Sequence, residues 1–300
     1  MTSAYFAAIQ DWYVQNARDL PWRRPDATPW SIMVSEFMLQ QTPVSRVLPA
    51  HAAWLDRWPE PAALAVASPA DAVRQWDRLG YPRRAIRLHA AAELITSRHR
   101  GTVPATAEEL RALPGVGPYT AAAVASFAFG RRHAVLDTNV RRVLSRLVTG
   151  EGLPRAAQTA AEVRLAESLL PPDGRAAARW SVGVMELGAL VCTTSRPRCD
   201  ECPVAGQCAW IRRGRPAALE RRGQPAYHGS DRQCRGRILA ILRNASGPVP
   251  ASALTAAWND SAQRARSLAG LMHDGLVTRC ADGSLTLPGD EPLTAPGTDR

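Results

Sequence analysis

Residues 113–124 read LPGVGPYTAAAV, with two glycines and two prolines between Leu113 and Tyr119. Glycine admits backbone conformations and close approaches that a Cβ forbids, and proline at a first helical position starts a helix. Upstream, Thr106 followed three residues later by Glu109 forms a capping box opening the helix that runs into this turn. The stretch therefore predicts helix, tight turn, helix. Such a turn presents several backbone N–H groups at a positive helix N-terminus, a ready site for a phosphate. An isolated GVG also fits an ordinary helix–helix corner. The charge balance favours the phosphate: 37 basic residues, every one an arginine, against 27 acidic ones give a net charge of +10. That excess suggests a polyanion, with nucleic acid preferred to membrane because no amphipathic lipid-binding stretch stands out. Contacts at the turn would position the partner rather than read its sequence.

Around the turn the chain reads as all-α. Thr28-Pro29, Thr42-Pro43 and Ser68-Pro69 each put an N-cap before a proline at the first helical position, and Gly80, Gly101 and Gly130 end the intervening helices. No period-2 stretch occurs before residue 270. Residues 212–230, rich in Arg, Gly and Pro, read as a linker. Beyond it, Arg235 to Arg243, Ala251 to Trp258 and Ser261 to Asp274 predict helices, and the segments flanking Ala281-Asp282-Gly283 predict a hairpin. Residues 231–288 would then form a small winged-helix-like module, with 289–300 a disordered tail. The opening residues lack a secretory pattern and no window nears eighteen apolar residues. The expectation is a soluble, cytoplasmic, nucleoid-associated protein, monomeric and not bound to membrane.

Cys192, Cys199, Cys202 and Cys208 are spaced CX6CX2CX5C, whereas Cys234 and Cys280 lie apart. Four cysteines within seventeen residues read as a metal site, because a reducing compartment disfavours disulfides. Zinc sites usually show paired CXXC or a Cys/His mixture; this set, without histidine and unevenly spaced, favours a [4Fe-4S] cluster, with zinc the alternative.

Two carboxylates draw attention. Glu36 sits in SIMVSEFMLQQ, apolar on several faces, where desolvation would raise its pKa and suit it to give a proton and later take one. A solvated glutamate is the alternative. Asp137, in AVLDTNVRRVL, precedes a helix and would make a good N-cap; an anion beside a developing positive charge is its other reading.

The four-cysteine spacing after an LPGVG hairpin resembles the endonuclease III superfamily of DNA repair glycosylases, and SEFMLQQT (35–42) and LGALVC (187–192) resemble its MutY adenine glycosylases. The resemblance covers about residues 5–212 and implies a six-helix barrel carrying the helix-hairpin-helix (24–129) and an iron-sulfur domain built from 1–23 and 130–211. It implies that Glu36 protonates N7 of a flipped adenine and assists the attacking water, that Asp137 stabilises the charge on the sugar, and that Asn139 orients the site. Strand-cleaving relatives carry a lysine where this chain has Tyr119. With no lysine anywhere, the implied chemistry is hydrolysis without lysine-driven strand cleavage. Gln41, Thr42, Leu79 and Tyr81 match residues that contact or wedge beside the opposite base. Arg18, Trp22 and Arg23 match an adenine-pocket and DNA-facing segment, and Gly115, Val116 and Gly117 match the phosphate-binding turn. The implied partner is double-stranded DNA containing adenine mispaired with 8-oxoguanine or guanine. Thr138 and Val182 depart from the family's glycine and from a polar residue expected near the adenine. The residues after the linker are too few for the Nudix-like domain common in the family. Alternatives are a thymine or uracil mismatch glycosylase and a non-catalytic iron-sulfur DNA-binding protein. Arg232, Arg235 and Arg237 suit either phosphate contacts or a solvated helix face.

Overall fold

The computed structural model describes residues 5–217 and 227–291. Parts of the expected linker (218–226) and tail (292–300) lie outside the described residues. Among those described, the helices are α1 (Phe6–Asn16), α2 (Pro29–Leu39), α3 (Val44–Arg57), α4 (Pro61–Ala65), α5 (Pro69–Trp76), α6 (Arg83–Arg98), α7 (Ala107–Arg111), α8 (Pro118–Phe129), α9 (Thr138–Leu144), α10 (Ala160–Leu169), α11 (Gly174–Leu190), α12 (Ala209–Arg212), α13 (Asp231–Asn244) and α14 (Ser261–His273). The one strand pair among the described residues, β1 (Thr278–Arg279) and β2 (Leu285–Thr286), is antiparallel, with Thr278 opposite Thr286 and Val249 bridged to Leu285. No described helix is long and apolar enough to cross a membrane.

Helix ends follow the chemistry of their caps. Thr106 accepts from the Glu109 N–H at the start of α7, Ser68 from Asp71 at α5, and Gly130 closes α8 in the left-handed conformation. Two expectations change. Thr42 does not cap α3, whose N-cap is Pro43; its hydroxyl instead accepts from Arg84 and donates to the Leu79 carbonyl. Ala251 to Trp258 forms a 3-10 turn over Ala251–Ala256 rather than an α-helix.

The described residues fall into two compact units. One gathers residues 5–36, 104–112 and 116–217; the other gathers 37–103, 113–115 and 227–291. In the first, α11 packs on α9 and α1, and Ile9, Val140, Val143, Trp180, Val184 and Leu187 form the core. Close approach is enforced at Gly188, where a Cβ would stand 2.7 Å from that of Asn139. In the second, α6 packs on α4 and α5, Trp54 meets Trp58 and Trp76 edge-on, and α13 packs on α14 and touches α5. Ile238, Leu239, Leu271 and Leu285 are buried within the C-terminal segment.

Candidate active site

Glu36 lies on α2 and is 5% exposed. Burial pushes its carboxyl up to about 7, against a hydrogen bond from Tyr119 that favours the ionised form; nearby Asp137 pushes it further up and Arg23 draws it down. Tyr119, in the first turn of α8, has its own pKa driven well above the ordinary tyrosine value by burial and by the two carboxylates. It therefore stays protonated and donates. The pair places a proton-sharing carboxyl beside a fixed hydroxyl.

Asp137 is the N-cap of α9. Its Oδ1 accepts from the Val140 N–H at 2.6 Å and its Oδ2 from Asn139 Nδ2 at 2.9 Å. Burial raises its pKa even so, because desolvation outweighs these bonds. The N-cap reading of Asp137 thus holds, and the bonds that cap the helix also fix the carboxylate close enough to Glu36 and Tyr119 for its charge to be felt there. Asn139 is held in turn by Arg142, whose Nη2 donates to Asn139 Oδ1 at 2.8 Å and to the Gly188 carbonyl at 2.7 Å, and whose Nε donates to the Cys192 carbonyl at 2.7 Å. A continuous hydrogen-bonded path runs from Asp137 to the first of the clustered cysteines.

The RDLPWRR segment meets a residue that the sequence reading passed over. Glu186 on α11 is fully buried, with Arg18 Nε 2.7 Å from its Oε1, Arg18 Nη2 2.8 Å from Oε2 and Arg23 Nη1 2.6 Å from Oε2. Against the desolvation of burial, these arginines hold the Glu186 carboxyl down at about 2. Trp22 between them is buried. The signal was present: a glutamate in the apolar run SVGVMELGALV is the pattern that singled out Glu36. Val182, four residues earlier on α11, is half-buried.

All four clustered cysteines are free thiols. Among the described residues no three His, Cys, Asp or Glu side chains come together as ligands of a single metal ion. The four are near enough to influence one another: burial first, and then the other three cysteines, push the Cys202 thiol up to about 11. Arg146, in a π-helical turn at Ser145–Thr149, donates to Cys192 Sγ at 3.4 Å, and its carbonyl accepts from Cys208 Sγ at 3.5 Å. Its guanidinium stacks on Trp210, 4.7 Å from the ring centre. Four sulfur donors with a cation beside them and no histidine fit a group held by thiolates alone.

Val116 is buried and Gly117 exposed in the first unit; Gln41, Thr42, Leu79, Tyr81 and Gly115 belong to the second. Gly115 has φ +80°, and a Cβ there would meet Arg87 Cβ at 2.7 Å and Phe37 Cε1 at 2.9 Å. Gln41 and Tyr81 are exposed and have positive φ, +58° and +50°, whereas Thr42 and Leu79 are buried. A second overlooked residue binds these two loops. Arg84, 6% exposed, donates to the carbonyls of Phe37, Met38, Gln40 and Gly80 and to the Thr42 hydroxyl, at 2.6–2.9 Å.

A model of the HhH-GPD superfamily base excision DNA repair proteins matches residues 34–168, which carry Glu36, the hairpin, Tyr119 and Asp137. Over 285 residues the chain is 52% identical to an adenine DNA glycosylase of Mycobacterium tuberculosis, covering 93% of this chain and 92% of that protein. The chain belongs to the HhH-GPD superfamily. An adenine DNA glycosylase of Mycolicibacterium smegmatis is 48% identical over 283 residues, covering 94% of this chain and 95% of the relative. The structure of a thermostable thymine-DNA glycosylase superposes with a TM-score of 0.63 at 26% identity, covering 70% of this chain and 95% of the other. As an HhH-GPD protein the chain thus has full-length relatives extending through the segment after the linker.

Proposed function

We propose that this protein is a monofunctional adenine DNA glycosylase that hydrolyses the N-glycosidic bond of adenine paired with 8-oxoguanine or guanine in double-stranded DNA. The observation that carries the reading is the set formed by Glu36, Tyr119 and Asp137: a carboxyl protonated near neutrality, a hydroxyl bonded to it, and a second carboxylate in electrostatic reach. The full-length likeness to adenine DNA glycosylases supports the choice of base. In this reading the neutral Glu36 gives its proton to adenine N7, the C1′–N9 bond breaks with its electron pair leaving on the base, and Asp137 stabilises the cationic sugar. Water then attacks C1′ and yields its proton to the Glu36 carboxylate, which Tyr119 steadies. No lysine side chain is present to form a Schiff base in place of water.

Around that centre we assign Asn139 to orienting Asp137, Arg18, Trp22 and Arg23 to the wall of the base pocket, and Gly115, Val116 and Gly117 to a phosphate. Gln41, Thr42, Leu79 and Tyr81 face the opposite base. Cys192, Cys199, Cys202 and Cys208 would hold a [4Fe-4S] cluster, which would tie the cysteine loop into the fold. The accompanying domain reading is the barrel of 24–129, the iron-sulfur domain of 1–23 and 130–211, and the winged-helix-like module of 231–288. A monomer is consistent with exposed large apolar side chains that, among the described residues, are few and scattered in sequence, at Val14, Val66, Tyr81 and Tyr227. We assign its work to chromosomal DNA in the cytoplasm.

The likeness to a thymine-DNA glycosylase and the half-buried apolar Val182 favour one second reading, removal of another mispaired base. Duplexes carrying A, T or U opposite 8-oxoguanine or guanine separate the two. Release of adenine alone supports the first reading; preferential release of T or U replaces it with the second.

A further inference from the structure

The loop from Asp77 to Tyr81 is costly to hold. Asp77 and Tyr81 are non-glycine residues at φ +39° and +50°, flanking Gly80 at +82°. Such conformations persist only where the surroundings over-determine them. On one side the determinants are α5, α6 and the loop between α2 and α3: Trp76 Nε1 donates to the Gly80 carbonyl at 3.0 Å, Arg84 Nη2 to the same oxygen at 2.8 Å, and Thr42 Oγ1 to the Leu79 carbonyl at 3.2 Å. On the other they come from the C-terminal segment. Arg243, near the end of α13 and with its side chain only 13% exposed, donates to the Asp77 carbonyl, and the Asp77 carboxylate stands 3.8 Å away. Asp274, just after α14, pairs with Arg83 at 3.0 Å, two residues beyond Tyr81, and also with Arg235 on α13. Asp290 pairs with Arg74 on α5.

Most of the segment's other arginines find partners within the segment itself. Arg266 pairs with Asp231, Arg237 and Arg232 lie over Trp258 and Tyr227, and Arg264 donates to the Trp258 carbonyl. Its charged contacts with the rest of its unit gather on either side of one loop.

We infer that the C-terminal segment is a brace for the Asp77–Tyr81 loop, with Arg243 and Asp274 as positioning residues that hold Leu79 and Tyr81 ready beside the base pair being opened. This rests on the glycosylase reading above. The segment thereby contributes to base flipping without itself reading the opposite base. Arg243 fixes the backbone at the strained entry to the loop, and Asp274 anchors its exit through Arg83.

The test uses the full-length protein and a duplex carrying 2-aminopurine opposite 8-oxoguanine, whose fluorescence reports unstacking, alongside single-turnover release of adenine. Arg243→Met keeps the alkyl stem and removes the donor; Asp274→Asn weakens the second anchor by another route. The brace predicts that Arg243→Met lowers the flipping constant about tenfold or more, the scale of a lost charge-assisted hydrogen bond. Asp274→Asn should act in the same direction, and Arg243→Lys should recover most of the loss. Adenine release from a single-stranded or bulged substrate, already unstacked, should be unchanged, and Arg243→Met should add little in a Tyr81→Ala background. Wild-type flipping by folded Arg243→Met and Asp274→Asn overturns the brace. So do an equal loss on the unstacked substrate, or additivity with Tyr81→Ala. Failure of the wild-type protein to release adenine from any substrate would count against the glycosylase reading instead.

Discussion

Glu36 and Glu186 are both carboxylates buried in apolar helices, and they titrate in opposite directions. Glu36 has burial unopposed by any ion pair in contact and rises to about 7, while Glu186 has two arginines in hydrogen-bond contact and falls to about 2. Their consequences for pH differ in sign. The neutral form of Glu36 is favoured in the fold, so its ionisation costs stability increasingly as pH rises from about 4.5 and fully above about 7. Glycosylase activity, needing the protonated acid, should fall over the same upper range, with a descending limb in kcat/KM near pH 7 that Glu36→Gln abolishes along with about 10²–10⁴-fold of the rate. The ionised form of Glu186 is favoured, so its contribution is complete above about 4.5 and drains away as pH falls toward about 2. Glu186→Gln should cost about 2–3 kcal/mol at neutral pH and flatten the acid limb of stability, as urea titrations at several pH values would measure. Glu36 was legible because its neighbours are apolar. Glu186 carried the same signal, and only its two arginine partners, more than 160 residues away in sequence, separate a carboxyl held ionised from one pushed toward its neutral form.

At the scale of elements, the hairpin between α7 and α8 divides its work between Gly115 and Gly117. Gly115 is fixed by the fold: φ +80° and the absence of room for a Cβ make Gly115→Ala an overpacking change expected to cost about 1–3 kcal/mol in thermal unfolding. Gly117 has open space at its Cβ position and φ −86°. Gly117→Ala should therefore leave stability within about 0.5 kcal/mol while weakening duplex binding, since only a bound phosphate would meet the added methyl. Caps at Thr106, Ser68 and Gly130 could be read from the sequence because each acts within its own helix end. Thr42 could not, because its hydroxyl is claimed by Arg84, 42 residues away. Arg84 itself gave no local sign. Among 37 arginines, one whose guanidinium binds five carbonyls at the end of α2 and in two loops looks like any other until the chain is folded.

For the whole molecule, the order of motifs carried the reading of the fold. A glycine-rich hairpin, an acid in an apolar helix, an aspartate before a helix and four cysteines were legible together, and the path from Asp137 through Asn139 and Arg142 to Cys192 links the last two in space. That path was not legible, since Arg142 reads as one of many solvated arginines. If the cysteines hold an iron-sulfur cluster, the purified protein should contain about four irons and absorb in the visible; Cys199→Ser should lose both, together with stability. The +10 charge predicts that duplex affinity falls linearly on logarithmic axes as salt rises.

The most direct test of the account is a single-turnover reaction on a duplex holding one adenine opposite 8-oxoguanine, split between direct loading and alkali treatment, with a parallel aliquot reduced by borohydride. The account predicts adenine release, strand breaks only after alkali, no trapped protein–DNA adduct, and loss of the reaction in Glu36→Gln. Undiminished release by Glu36→Gln, or strand cleavage without alkali, would contradict it.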